Sequence, residues 1–201
     1  LKKKNFKKLL HVGSSAEYGN LRRLPHKENF VCKPISAYGR KKLSITKNLL
    51  KSFKKKFFPL IIVRMFQVYG PFDNSNKIIP QVLQNCLKNR TLKLTAGYQT
   101  RDFCHIDDVV RAIILLLKNE NNKIYGNIFN IGSGKAVTIK YLANKIKNKI
   151  NKGKLKFNTK KLKKNEIIYS KASIKKIKRF VNWVPRISLE NGLKRLIIHE
   201  R

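Results

Sequence analysis

The run Pro59-Leu60-Ile61-Ile62-Val63-Arg64 constrains this chain more than any other feature of it. It reads as a fully apolar strand, as a strand in the middle of a parallel sheet should, because such a strand is buried on both faces. Upstream, Lys8–Val12 (K-L-L-H-V) is a second short buried strand. Between them, Pro34 and Ser36 stand as helix-start signals ahead of an apolar-periodic run that continues to about Lys55. Strand, long helix and strand make a βαβ unit with a right-handed crossover. The fold class is α/β.

The first strand ends in Gly13-Ser14-Ser15-Ala16-Glu17-Tyr18-Gly19. Small hydroxyl residues just past a strand's C-terminal end sit where open α/β sheets bind ligands, although a plain turn would look the same. The helix then places Tyr38 and Lys42 four residues apart, on one face, with Cβ atoms roughly 5–6 Å from each other. Tyrosine titrates near pH 10, so proton transfer at neutral pH asks for a shift of about 4 kcal/mol. A cation about 4 Å away supplies about 1 kcal/mol in water and about 4 kcal/mol at an effective dielectric near 20. The pair works only in a partly dry cleft. Taken alone, Y-x-x-x-K is more often an ordinary Tyr and Lys on a lysine-rich helix.

With 201 residues and 42% hydrophobic content, the chain can build one sizeable core or two small ones. No apolar run approaches the roughly 20 residues of a membrane helix. The lysine-rich start before Leu9-Leu10 is cut short as a signal peptide by His11 and Gly13, so the expected location is cytoplasmic. Cys32, Cys86 and Cys104 show no C-x-x-C spacing and the four histidines are scattered, so no disulfide framework and no metal is expected. The net charge of +37 raises the question of nucleic acid. Yet the lysines are spread over helices and loops, with few aromatics alternating among them as a stacking platform requires. Solvated basic faces, with a need to bind anionic substrates, are the preferred reading, and nucleic acid the minority one.

Further along, Lys77–Asn89 reads as an amphipathic helix, Thr91–Thr95 as a short strand and Gly97–Thr100 as a loop. Phe103–Ile106 reads as a strand, with Asp107 capping a helix Val109–Lys118 and Asp108 in its first turn. Asn127–Ile131 is a strand, Thr138–Ile150 a helix and Gly153–Phe157 an edge strand. Lys160–Glu166 is a charged loop, and helices near Ser173–Phe180 and Ser188–His199 close the chain.

Five segments, in order, carry a resemblance: G-S-S-A-E-Y-G (Gly13–Gly19), Y-x-x-x-K (Tyr38–Lys42), R-M-F-Q-V-Y-G-P (Arg64–Pro71), R-D-F-C-H-I-D-D-V-V (Arg101–Val110) and N-I-G-S-G (Asn130–Gly134), with the late W-V-P-R-I-S-L-E-N-G-L (Trp183–Leu193) as a sixth. Together they resemble the extended short-chain dehydrogenase/reductases, and more narrowly the NAD-dependent epimerase/dehydratase family acting on nucleotide sugars. That resemblance implies the C-terminal part of a Rossmann-like parallel sheet with a smaller α/β substrate-binding domain. Residues 1–70 would be the catalytic remainder of the dinucleotide-binding domain and 71–201 mainly the substrate domain, with about 101–118 packing back on the first.

The family's opening strand and G-x-x-G-x-x-G turn are not in this sequence. Gly132-Ser133-Gly134-Lys135 is no substitute, because a phosphate loop would need Gly at 129 and Ser or Thr at 136, where Phe129 and Ala136 stand. The turn reads as structural. A chain that starts at Leu1 is expected to leave its first strand's edge open, to aggregate, and to bind NAD(P) too weakly to detect at micromolar concentrations.

The resemblance also assigns roles. Ser14, with Ser15 the near alternative, would hydrogen-bond the sugar oxygen being oxidised. Tyr38 would be the acid/base, and Lys42 would hold the nicotinamide ribose and lower the tyrosine pKa. Arg101 matches the arginine on the substrate pyrophosphate, and Gln67 stands where Asn is usual. A second diphosphate arginine, expected just before Glu166, is replaced by Lys163-Lys164; Tyr125 and Lys77 could border the nucleotide. The implied function is an NAD- or NADP-dependent nucleotide-sugar epimerase or 4-keto-sugar reductase, a homodimer by resemblance, acting on a nucleotide-diphosphate sugar. The alternatives are an inactive truncated remnant and a basic nucleic-acid-binding module.

Overall fold

The computed structural model describes residues 6–200; Leu1 and the lysine-rich start through residue 5, and Arg201, lie outside the described residues. The main sheet is parallel throughout, with β1 (Leu9–Ser14), β2 (Leu60–Met65) and β6 (Asn127–Ile131) in the order β1-β2-β6. Leu60, Ile61, Ile62 and Val63 are each 0% exposed, so the apolar run is the doubly covered central strand. Helix α1 (Ala37–Lys55) connects β1 to β2, and its cap is Ser36, whose Oγ accepts from the Gly39 amide at 3.0 Å. Helices α3 (Ile106–Lys118) and α5 (Lys175–Val181) contribute Val109, Ala112, Leu116 and Ile177 to a core shared with Phe129, Ile131 and Trp183.

A second layer surrounds β5 (Thr100–His105), which lies parallel to β3 (Gln67–Tyr69) and antiparallel to β7 (Ala136–Thr138). Strands β4 (Thr91–Lys93) and β8 (Lys154–Lys156) form a parallel pair. Helices α2 (Ile78–Leu87), α4 (Ile139–Ile150) and α6 (Leu189–His199) close this layer around Val82, Leu142, Ile146 and Leu193. Residues 157–174 then run as a strap back to the main sheet, where the His26 amide donates to Lys171 O at 2.7 Å.

Two expectations need correction. The strand expected from Phe103 begins at Thr100, because Arg101 and Asp102 pair with Val137 and Ala136 of β7, a partner that local patterning does not show. Asp107 is not the helix cap: α3 starts at Ile106, and His105 Nδ1 accepts from the Asp107 amide at 3.3 Å. Asp108 does the larger work. Its buried carboxylate accepts the amides of Arg186 and Ile187 at 2.8–2.9 Å and pairs with Arg111, while Trp183 Nε1 donates to its carbonyl at 3.0 Å. Burial pushes its pKa up, but those amides and Arg111 outweigh burial and hold it below the usual value.

Asp102, 0% exposed, explains the glycine turn. Its carboxylate accepts from the Ser133 amide and hydroxyl at 2.6 Å, the Gly134 amide at 3.0 Å and the Ala172 amide at 2.9 Å. Gly134 sits at φ +73°, where a side chain would be strained. The turn is an anion cradle filled by the chain's own carboxylate.

Burial lowers the pKa of His11, His26 and His105 below 6.5. A folded pKa below the unfolded one means full stability above pH 6.5, lost as pH falls through the folded values. Glu28 and Asp102, raised by burial, act with the opposite sign at lower pH. Urea midpoints should therefore drop between pH 7.5 and 6, and less so in His26→Asn, whose own ring no longer titrates. An equal drop in both proteins would show that His26 carries none of it.

Candidate active site

The site is assembled at the C-terminal ends of β1 and β2. Ser14 caps a 3-10 turn over Ser15–Glu17: its Oγ accepts from the Ala16 amide at 3.2 Å, and its own amide donates to Glu17 Oε1 at 2.9 Å. The other Glu17 oxygen accepts from Arg64 Nε at 2.9 Å, and the two side chains are 0% and 4% exposed. This buried pair fixes the loop from beneath, and Glu17 takes no part in the cavity above it. Helix α1 comes close because residue 39 is glycine; a Cβ there would lie 2.5 Å from Ala16 O. Its first turn thereby brings Tyr38 to the serine loop.

A cavity of about 390 Å³ opens there, walled by Ser14, Ser15, Tyr38, Gln67, Lys77, Arg101 and Ser170 among others. A second, of about 280 Å³, shares Gln67, Lys77 and Arg101 and adds Lys93, Leu94, Gln99, Lys160 and Glu166. The fold thus brings Ser14, Tyr38, Gln67 and Arg101 to one space from four separate segments. Lys42 stands just behind it: its Nζ donates to Val12 O at 2.8 Å and lies 5.9 Å from the Tyr38 ring centre. Tyr38 is 59% exposed, and its hydroxyl has no hydrogen bond among the described residues.

Lys163 and Lys164 line neither cavity, and Tyr125 meets Phe57 edge to face, ring centres 6.0 Å apart, instead. The cations that do line the second cavity are Lys77, tied to Asp73 at 2.7 Å, with Lys93, Lys160 and Arg101. Arg101 donates to Thr100 O at 2.8 Å and pairs with Glu166; burial lowers its pKa and Glu166 opposes that shift. Sequence reasoning passed over Gln99, Ser170 and Glu166, and nothing local distinguishes them. Glu166 is the end of a charged loop until the strap lays it beside Arg101. The first cavity contains no carboxylate and the second has Glu166 against several cations, so both suit an anionic, hydroxyl-rich ligand.

The profile of the NAD dependent epimerase/dehydratase family matches residues 1–132. CDP-abequose synthase of Salmonella typhimurium is 32% identical over 140 residues, 67% of this chain and 46% of that protein. UDP-glucuronate 4-epimerase of Thermodesulfobacterium geofontis is 30% identical over 198 residues, 95% of this chain and 58% of that protein. The crystal structure of dTDP-glucose 4,6-dehydratase from Bacillus anthracis in complex with NAD superposes with a TM-score of 0.87 at 26% identity, covering 95% of this chain and 60% of that one. The chain spans about half the length of the curated relatives it matches.

Proposed function

Since this chain belongs to the NAD-dependent epimerase/dehydratase family, we propose that it supplies the catalytic and substrate-binding walls of an NAD(P)-dependent nucleotide-sugar epimerase or 4-keto-sugar reductase. The observation that carries the reading is the convergence of Ser14, Tyr38, Gln67 and Arg101 on one cavity at the strand ends. Tyr38 and Lys42 fit the nicotinamide-ribose end of a dinucleotide: the phenol is unbonded and the ammonium has two N–H groups to spare beyond Val12 O. The amides of Ser133 and Gly134 are committed to Asp102 and offer a pyrophosphate nothing. A bound NAD(P) supplies the hydride acceptor and donor.

In this reading Tyr38 exchanges the proton of the sugar hydroxyl, and Ser14 donates its hydroxyl hydrogen to the same oxygen as carbonyl character develops. Ser14 Oγ already accepts from Ala16, which leaves its own hydrogen pointing elsewhere. Arg101 takes the diphosphate, for which a planar guanidinium is suited. Gln67 offers an amide to the sugar. A homodimer belongs to the same proposal.

Water elimination is not part of it. After Ser14 come Ser15 and Ala16, neither an acid or base at neutral pH, and Glu17 is sealed against Arg64. In the complete enzyme, incubation with NAD(P) and UDP-glucuronate or UDP-glucose, followed by product chromatography, is expected to give an epimer or a reduced sugar. Accumulation of a 4-keto-6-deoxy sugar would overturn the exclusion of dehydration. No conversion of any nucleotide sugar would favour the inactive remnant.

A further inference from the structure

Arg101 is held on both sides. One terminal nitrogen donates to Thr100 O at 2.8 Å and the other to Glu166. The two side chains are 15% and 28% exposed, so this is neither a freely solvated pair nor a dry one. Glu166 is the single carboxylate along either cavity, set among Lys77, Lys93 and Lys160. A negative charge at the wall of an anion site repels the ligand, and its presence asks for a compensating task.

The guanidinium carries five N–H groups, and the two contacts leave the rest of its fork free. The strap that holds Glu166 is itself pinned: the Ile168 amide donates to Asn20 Oδ1 at 2.9 Å. Ile168 O in turn accepts the Thr100 amide at 2.8 Å, one residue from Arg101. The carboxylate is therefore carried beside Arg101 on a segment tied to Asn20 and to β5.

We propose that Glu166 is a positioning residue for Arg101, locking its guanidinium at the wall common to both cavities with the free edge turned to the ligand's phosphate groups. The inference rests on Arg101 as the anion-binding residue. A long side chain without that partner would sample many rotamers, and each bound state would have to reorder it. The loss of the partner is felt as weaker binding, even though a repelling charge has gone.

Calorimetry with UDP as the probe tests this on the native chain and on Arg101→Ala, Glu166→Ala, Glu166→Gln and the double alanine variant. Glu166→Ala should weaken UDP by about tenfold, the ratio matching loss of one charge-assisted hydrogen bond. Glu166→Gln keeps an acceptor oxygen and should stay within about threefold of the native chain. The double variant should bind no more weakly than Arg101→Ala alone, because Glu166 acts only through Arg101. Unchanged or tighter binding in Glu166→Ala, or additive losses in the double variant, would overturn the positioning role. If Arg101→Ala binds UDP as the native chain does, the anion-binding reading falls and this inference falls with it. If the native chain binds but Glu166→Ala does not fold, the Gln variant decides: a tenfold loss there removes the proposal.

Discussion

Tyr38→Phe in the complete enzyme is expected to lower turnover by roughly 10²–10⁴-fold, the usual contribution of a positioned general acid/base. Binding of the sugar nucleotide should barely change. The hydroxyl is the only atom removed, it has no hydrogen bond to protein among the described residues, and the ring stands 59% exposed at the cavity mouth. The substitution thus costs no packing and leaves no buried partner unpaired. Steady-state kinetics with a matched melting curve separates the two effects. Loss of turnover with an unchanged Km is the signature of an interaction made in the transition state alone. Retained turnover would remove Tyr38 from the chemistry.

The largest effect on stability should come from Asp102→Ala. Its carboxylate satisfies the amides of Ser133, Gly134 and Ala172 and the Ser133 hydroxyl. A buried donor left without a partner costs about 1–3 kcal/mol, but only the Ala172 amide is fully buried and the Ser133 hydroxyl also reaches Lys135 O, so a net loss of about 2–4 kcal/mol is expected. Asp102→Asn should do little better, because its NH₂ group faces amides that also donate. Urea unfolding with an unchanged m-value reads the difference directly. A loss below about 1 kcal/mol would show that the turn finds other acceptors.

Some of this was legible in the residues. The apolar run through Val63, the serine-capped helix behind Tyr38 and the helical spacing of Ile78, Ile79, Val82, Leu83 and Leu87 are local signals, and each became the element it indicated. The expected α/β class with a parallel sheet follows from them. Strands β3 and β7, three residues each, leave no periodicity to read, and each exists because β5 pairs with it. The same holds for the polar hubs. Asp108 looks like a first-turn helix residue, and its amide partners lie 78 and 79 positions away. Asp102 meets the glycine turn 31 and 32 positions on and the strap 70 positions on. Glu166 reaches Arg101 across 65 positions. Long-range polar contacts of this kind carry no pattern in the chain order, and here they shape the cavity walls.

One of those hubs makes the two cavities a single mechanical unit. Asp102 is the chain neighbour of Arg101 and is bonded to Ala172, on the same strap that brings Ser170 to the first cavity and Glu166 to the second. A ligand that lifts the strap pulls on strand β5 beside the guanidinium, and one that draws Arg101 inward loads the strap in return. The joint between them is a fully buried carboxylate, so a displacement at one cavity is expected to reach the wall of the other.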